Sequence, residues 1–205
     1  MNKEPTLAEG REEEHGTVSF LFDILEMFAW SLFVVFILFT FCIRLCRVDG
    51  SSMENTLFEG ENLLVYSLNY SPEQDDIIVF HLTKPEVGLE KTLVKRVIAT
   101  GGQSVTMNYA TGEIHVNGDL YEDSHAVLKN YFGEITGVYD RNFPGHNYDH
   151  ETKTMSFTVP EHSLFVLGDN RNDSKDSRST DIMFVDESCV LGKVFLRIAP
   201  FALFP

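Results

Sequence analysis

Apolar positions along the chain follow two patterns. The first is a single unbroken run, MFAWSLFVVFILFTFCI, from Met27 to Ile43, 17 residues without a charge. That length lies at the short end for a helix crossing a bilayer. Phe20, Leu21, Phe22, Ile24 and Leu25 extend the run upstream, interrupted by Asp23 and Glu26. The pattern predicts an acidic tail over residues 1–19 and a transmembrane anchor over 20–46, its first turns at the membrane interface. A buried soluble helix or a cleaved signal peptide would show a similar run. The second is opposed by the acidic N-terminal region and by the lack of Ala-x-Ala after the run.

From residue 47 the pattern shortens to strand-length segments bounded by turn residues, which predicts a β-rich domain over 47–205. The candidate strands are 61–66, 76–81, 92–99, 104–108, 113–118, 154–159, 163–168 and 193–198. The stretch MNYATGEIHVNGDLY reads as a hairpin turning at Ala-Thr-Gly, with a second turn at Asn-Gly. Residues 121–153 are polar and carry Gly133, Gly137, Pro144 and Gly145, so they read as an irregular excursion from the sheet.

Composition changes this picture little. Apolar residues make up 43% of the 205, enough for a packed core. The formal charge of −15 opposes a nucleic-acid partner, which needs clustered Lys and Arg. Acidity is spread over the chain and reads as solubility. Charge also leaves orientation open. Lys3 and Arg11 on one side of the run tie with Arg44 and Arg47 on the other, and the nearer pair favours a cytoplasmic C-terminal side. Cys42, Cys46 and Cys189 make no disulfide framework.

The candidate chemistry begins in VDGSSMENTL, residues 48–57, where two serines follow the apolar run in a turn-like context. A serine needs a base to act as a nucleophile. None of the seven histidines stands in a recognisable catalytic motif; His146 and His150 have i, i+4 spacing, but in a loop composition that reads as solvated. Lysine is the other base available. In TLVKRVIA, strand alternation puts Lys95 on the face of Leu93 and Val97. An ordinary lysine is neutral only about once in a few thousand at pH 7, so burial would have to lower its pKa by about 3 units. From the local pattern alone, a sheet-edge lysine whose ammonium reaches water is favoured. A third segment, GDNRNDSKDSR, Gly168 to Arg178, follows the apolar strand SLFVL. It is either a surface loop or a buried polar frame in which Asp176 and Arg178 form a bidentate pair.

VDGSSMENTL, QDDIIVF, LVKRVIATGG and GDNRNDSKDSR resemble, in order and approximate spacing, the motif boxes of type I signal peptidases. With the anchor, the resemblance covers roughly residues 20–200. It implies a membrane-anchored serine endopeptidase on a β-rich fold that removes signal peptides from exported preproteins through a serine–lysine dyad. By position it implies Ser52 as nucleophile and Lys95 as general base. Ser174 would hydrogen-bond that lysine, and Asp176 and Arg178 would brace the site. Gly50 stands where some members have a serine donating to the oxyanion, as in the Gram-positive branch, which leaves the Ser52 N–H as the donor.

Three departures touch turns around the site: Asn55 in place of the usual proline, Asp75 in place of glycine, and ATGGQ at 99–103 in place of a box that commonly reads Gly-x-Pro-Gly-Asp. The resemblance implies no metal or organic cofactor. Implied partners are signal peptides with small residues before the cut, the lipid bilayer and the secretion machinery. It also implies a cytoplasmic N-terminus and an extracytoplasmic catalytic domain.

Geometry agrees with that placement. The eight residues Arg44 to Ser51 span at most about 26 to 29 Å, which keeps Ser52 near the bilayer. Two alternatives remain at this stage. Self-cleaving repressors of the SOS response share the chemistry and a related fold, but they are soluble and DNA-binding, against the anchor and the acidity. A catalytically silent membrane-anchored binding or scaffold protein on the same fold is the alternative of a different class.

Overall fold

The computed structural model describes residues 7–85, 88–126, 147–149 and 151–204. The chain divides into two compact units, Met1–Cys42 and Ile43–Pro205.

The first unit is a helix, α1, over Leu7–Ile37, closed by a wider π-helical turn over Leu38–Cys42. Within it Ser19–Thr40 has mean hydropathy 2.2 and none of its apolar window is buried by protein. Thr40 Oγ1 donates back to the Phe36 carbonyl at 2.7 Å, a side-chain bond that competes with the regular helical ladder at this end. The helix starts earlier than the apolar pattern alone requires, so residues 7–19 of the expected tail are helical. It also stops earlier. Ile43–Arg47, whose first four residues were expected as the last turn of the anchor, is strand β1 of the second unit. It pairs antiparallel with β2 (Asn62–Tyr66) in a continuous register from Ile43↔Tyr66 to Arg47↔Asn62. Pairing with a strand remote in sequence overrides a local helical pattern that Arg44 and Arg47 had already weakened.

The second unit is built on two antiparallel sheets. The remaining strands are β3 (Ile77–Lys84), β4 (Leu89–Thr100), β5 (Ser104–Asn108), β6 (Ile114–Val116), β7 (Asp119–Leu120), β8 (Asn147–Asp149), β9 (Thr154–Thr158), β10 (Ser163–Leu167), β11 (Val185–Asp186), β12 (Val190–Arg197) and β13 (Ala202–Leu203). The larger sheet runs β1-β2-β12-β3-β4-β10-β11, with β13 beside the end of β12. The smaller runs β7-β6-β5-β9-β8.

All eight expected strands are present, and the β5–β6 and β6–β7 hairpins turn where the sequence predicted. Within the excursion at 121–153, β8 pairs with β9. The candidate pair His146 and His150 lies outside the described residues.

The apolar run IIVF in β3 shows why a central strand lacks alternation. Ile77 and Val79 pack on one face with Val48, Met53, Leu57, Leu63, Val65 and Val194, while Ile78 and Phe80 pack on the other with Val97, Leu164 and Val166. Both faces of the strand are covered, so both sets of positions are apolar. β4 carries a bulge between its pairings with Val166 and Phe165 of β10, and Ile98, Ala99, Phe165 and Leu167 join Val105, Met107, Ile114, Met155 and Phe157 in a third core cluster. Lys95 and Arg96 sit just before that bulge.

Candidate active site

Ser52 lies in the turn between β1 and β2. Gly50 opens the turn with φ +92°, in the left-handed region that favours glycine. Glu54 N–H then donates to the Ser51 carbonyl at 2.9 Å, and the Thr56 and Leu57 amides donate to the Met53 carbonyl at 3.1 and 2.8 Å. Met53 and Leu57 are buried in the core on either side of this turn and anchor it.

Lys95 comes from β4, opposite Ile78 of β3. Its side chain is buried, with 2% of the residue exposed. Nζ lies 2.6 Å from Oγ of Ser52 and donates to the Val94 carbonyl at 2.8 Å. Burial lowers its pKa from 10.5 to about 8, against the upward pull of Asp176 and Asp169; Lys91 and Arg178 add a smaller downward push. Desolvation prevails because the carboxylates near Lys95 are already paired with arginines.

One such pair is Asp176 with Arg178. Nε donates to Oδ1 and Nη2 to Oδ2, both at 2.8 Å, in the bidentate form anticipated from sequence. Burial pushes the Asp176 carboxyl up, but Arg178 and the Gly168 amide, which donates to Oδ2 at 3.0 Å, outweigh it and hold the carboxyl below its usual range. Oγ of Ser174 is buried but makes no hydrogen bond of ordinary geometry to Lys95 or to any other described group; its nearness to Asp176 adds slightly to the hold on that carboxylate. The bond expected from Ser174 to Lys95 is therefore not made in this structure, where Nζ is taken up by Ser52 and Val94. Ser174 is nonetheless packed at the site. A Cβ built on Gly168 would fall 2.2 Å from its Oγ and 2.4 Å from the Ser52 carbonyl oxygen. Among the described residues no three His, Cys, Asp or Glu side chains cluster as a metal ion would need.

Residues 21–199 match the family model described as signal peptidase, peptidase S26. The chain belongs to the signal peptidase family. It is 33% identical over 178 residues to signal peptidase IB of Staphylococcus aureus, covering 83% of this chain and 85% of that one. It is 32% identical over 216 residues to signal peptidase I of Aquifex aeolicus, covering 84% and 82%. A crystal structure of a signal peptidase I from Enterococcus faecalis V583 matches at 29% identity and TM-score 0.40, over 61% of this chain and 97% of that one. As a member of this family the protein is an enzyme, a serine hydrolase.

Two departures from the pattern of signal peptidase boxes have a backbone explanation. Asn55 has φ +87°, which proline, fixed near −65°, cannot adopt. Asp75 has φ +74°, a region that glycine enters without strain. Its side chain accepts a short hydrogen bond from Tyr121, and its carbonyl accepts from Arg96 Nη1 at 2.9 Å.

Several residues of the site were not found from sequence. Arg96 pairs with Asp169, Thr56 donates to the same carboxylate at 2.5 Å, and Arg171 pairs with Asp123. Asn170 donates from its backbone to the Ser52 carbonyl and from Nδ2 to the Ser51 carbonyl, each at 3.1 Å. Ser51 Oγ donates to Asp173 at 2.6 Å. A signal for the first pair was available. Alternation places Arg96 beside Val94 and Ile98, and an arginine there needs a buried acid; Asp169 stands two residues after the buried end of β10.

Proposed function

We propose that this protein is a membrane-anchored endopeptidase that removes signal peptides from exported preproteins, with Ser52 as nucleophile and Lys95 as general base. The observation that carries the reading is the 2.6 Å approach of Lys95 Nζ to Ser52 Oγ, made by a lysine buried enough to titrate near 8. About a tenth of such a lysine is neutral at pH 7, against one in a few thousand for an exposed one. Neutral Lys95 takes the proton of Ser52 as Oγ attacks the scissile carbonyl. The Ser52 N–H meets the developing oxyanion. The protonated lysine then gives its proton to the leaving amine, and a water activated by Lys95 hydrolyses the acyl-enzyme.

The substrate reaches this pair as an added strand. β4 is paired with β3 along Leu89–Arg96 and with β10 only along Arg96–Thr100. Among the described residues Thr92–Lys95 has no strand partner on the side away from β3. An extended peptide laid there brings its carbonyls past Ser52, and its small side chains at the first and third positions before the cut face the site. Asp176 and Arg178 brace the site, Ser174 packs beside them against Gly168, and Gly50 shapes the loop before the nucleophile.

The apolar part of α1 suits lipid, since no protein covers it. It anchors the enzyme with the N-terminus cytoplasmic and residues 47–205 extracytoplasmic, beside a substrate whose own apolar helix lies in the same bilayer. The lipid bilayer is thus one partner and the secretion machinery a second. Incubating the detergent-purified full chain with an exported precursor tests the activity. Wild type is expected to cut and Lys95→Ala not to. Cleavage by Lys95→Ala at the wild-type rate would end the reading.

A further inference from the structure

Asn170 is fully buried in the turn after β10, and it grips the backbone on both sides of the Ser52 Cα. Its N–H donates to the Ser52 carbonyl and its side-chain Nδ2 to the Ser51 carbonyl, each at 3.1 Å. The Ser51 carbonyl and the Ser52 N–H are opposite ends of one planar peptide group, so aiming the first aims the second. The Ser52 N–H itself donates to no group among the described residues. It is the amide that the proposed mechanism sets against the oxyanion. Gly50, with no hydroxyl, supplies no second donor from its side chain.

The chemistry of Asn170 points the same way. Oδ1 is buried without a partner among the described residues, so the amide is kept in place with half of its hydrogen-bonding capacity unused. Such an arrangement weakens a fold. What the amide alone supplies is an uncharged N–H donor pointed at the Ser51 carbonyl, with a second, longer bond from Nδ2 to Glu54 Oε2 at 3.5 Å. An aspartate of the same size would place an oxygen against that carbonyl, and an alanine would leave the carbonyl to the Glu54 amide, 2.9 Å away within the same turn. The turn bond shapes the loop locally; only the Asn170 side chain ties that peptide to the frame after β10, where Gly168 packs against Ser174 and the Ser52 carbonyl.

We propose that Asn170 is a positioning residue for the oxyanion site, holding the Ser51–Ser52 peptide so that its N–H points where the substrate carbonyl oxygen becomes negative. This rests on the assignment of Ser52 as nucleophile.

The test compares wild type, Asn170→Ala and Asn170→Asp as full-length enzyme in detergent. The readouts are kcat and KM on a precursor, thermal unfolding, the acidic limb of the pH–rate profile, and inhibition by two peptides of one sequence. The first ends in an aldehyde that forms a tetrahedral adduct with serine; the second ends in an unreactive amide. Because the Glu54 bond survives, kcat should fall roughly 10- to 100-fold rather than by the full loss of a donor. The aldehyde should weaken by a similar factor. KM, the amide-ended peptide and the acidic limb should stay where they are. Unchanged kcat in both variants would overturn the proposal. So would an equal weakening of both peptides accompanied by a lower Tm, or loss of the cooperative melt in both variants, since each makes Asn170 a residue of the fold alone. Ser52→Ala separates the two levels. Activity in that variant removes the nucleophile assignment, whereas an inactive Ser52→Ala beside fully active Asn170 variants removes only the role of Asn170.

Discussion

Arg96 holds Asp169 through two parallel hydrogen bonds, Nε to Oδ1 at 2.9 Å and Nη2 to Oδ2 at 2.8 Å, and it is the residue directly after Lys95. The same Asp169 carboxylate accepts from Thr56 Oγ1, four residues beyond Ser52. The strand that carries the proposed base and the turn that carries the proposed nucleophile are thus joined at one buried ion pair. Burial of the Arg96 guanidinium works against its charge, but Asp169 prevails and raises its pKa.

Removing one member of this pair leaves a buried charge without its partner. Asp169→Ala is expected to lose about 3 to 5 kcal/mol of stability, read from urea or thermal unfolding of the full chain in detergent. A loss below about 1 kcal/mol, the range of an ordinary surface change, would show that the pair does not hold the site together.

Lys95 carries a stability cost with a definite pH dependence. Its pKa is about 8 in the folded protein and 10.5 ordinarily. Between those values the unfolded chain holds a proton that the folded chain has released, so this residue makes stability rise with pH from about 8 to about 10.5. Below about 8 both states are protonated and the penalty for burying the charge, about 3 kcal/mol, is fully present. Lys95→Met should therefore be inactive yet more stable than wild type at pH 7, with the gap narrowing by pH 10. Equal melting temperatures at pH 7 would argue against burial as the cause. In wild type the acidic limb of kcat/KM should fall near pH 8, and Lys95→Arg should be inactive because guanidinium stays protonated.

Gly168 leaves no room for a side chain. The Cβ of Gly168→Ala would meet Ser174 Oγ and the Ser52 carbonyl at distances that real contacts do not show. Either the nucleophile turn or the frame after β10 has to shift. A displacement near 1 Å costs about 100-fold in rate. Precursor cleavage at matched protein levels checks this; activity within a few-fold of wild type would mean that the turn adapts freely.

The paired serines separate cleanly. Ser52→Ala should abolish turnover without unfolding the protein. Ser51→Ala loses one exposed hydrogen bond to Asp173, worth about 1 kcal/mol or roughly a factor of five. An inactive Ser51→Ala beside an active Ser52→Ala would shift the nucleophile by one residue, and two active variants would make the turn a mere hinge.

The sequence by itself determined what depends on short-range patterns. Seventeen uncharged residues specify an apolar helix, and short apolar segments bounded by turn residues specify the eight strands, because segment length and turn chemistry are local. The Asp176–Arg178 pair was legible for the same reason, its members lying two residues apart. The motif boxes named Ser52 and Lys95 through resemblance, but the local pattern around Lys95 favoured an ammonium reaching water. Only the tertiary structure buries it, since the groups that exclude water come from the β1–β2 turn and the frame after β10, remote in sequence. Ile43–Arg47 became a strand for a similar reason: its partner is β2, and a partner's position is not written in the segment itself. The same holds for Arg96 with Asp169 and for Asn170 with the paired serines. Each contact spans more than 70 residues, where local periodicity carries no information and only the closed fold decides which polar groups meet.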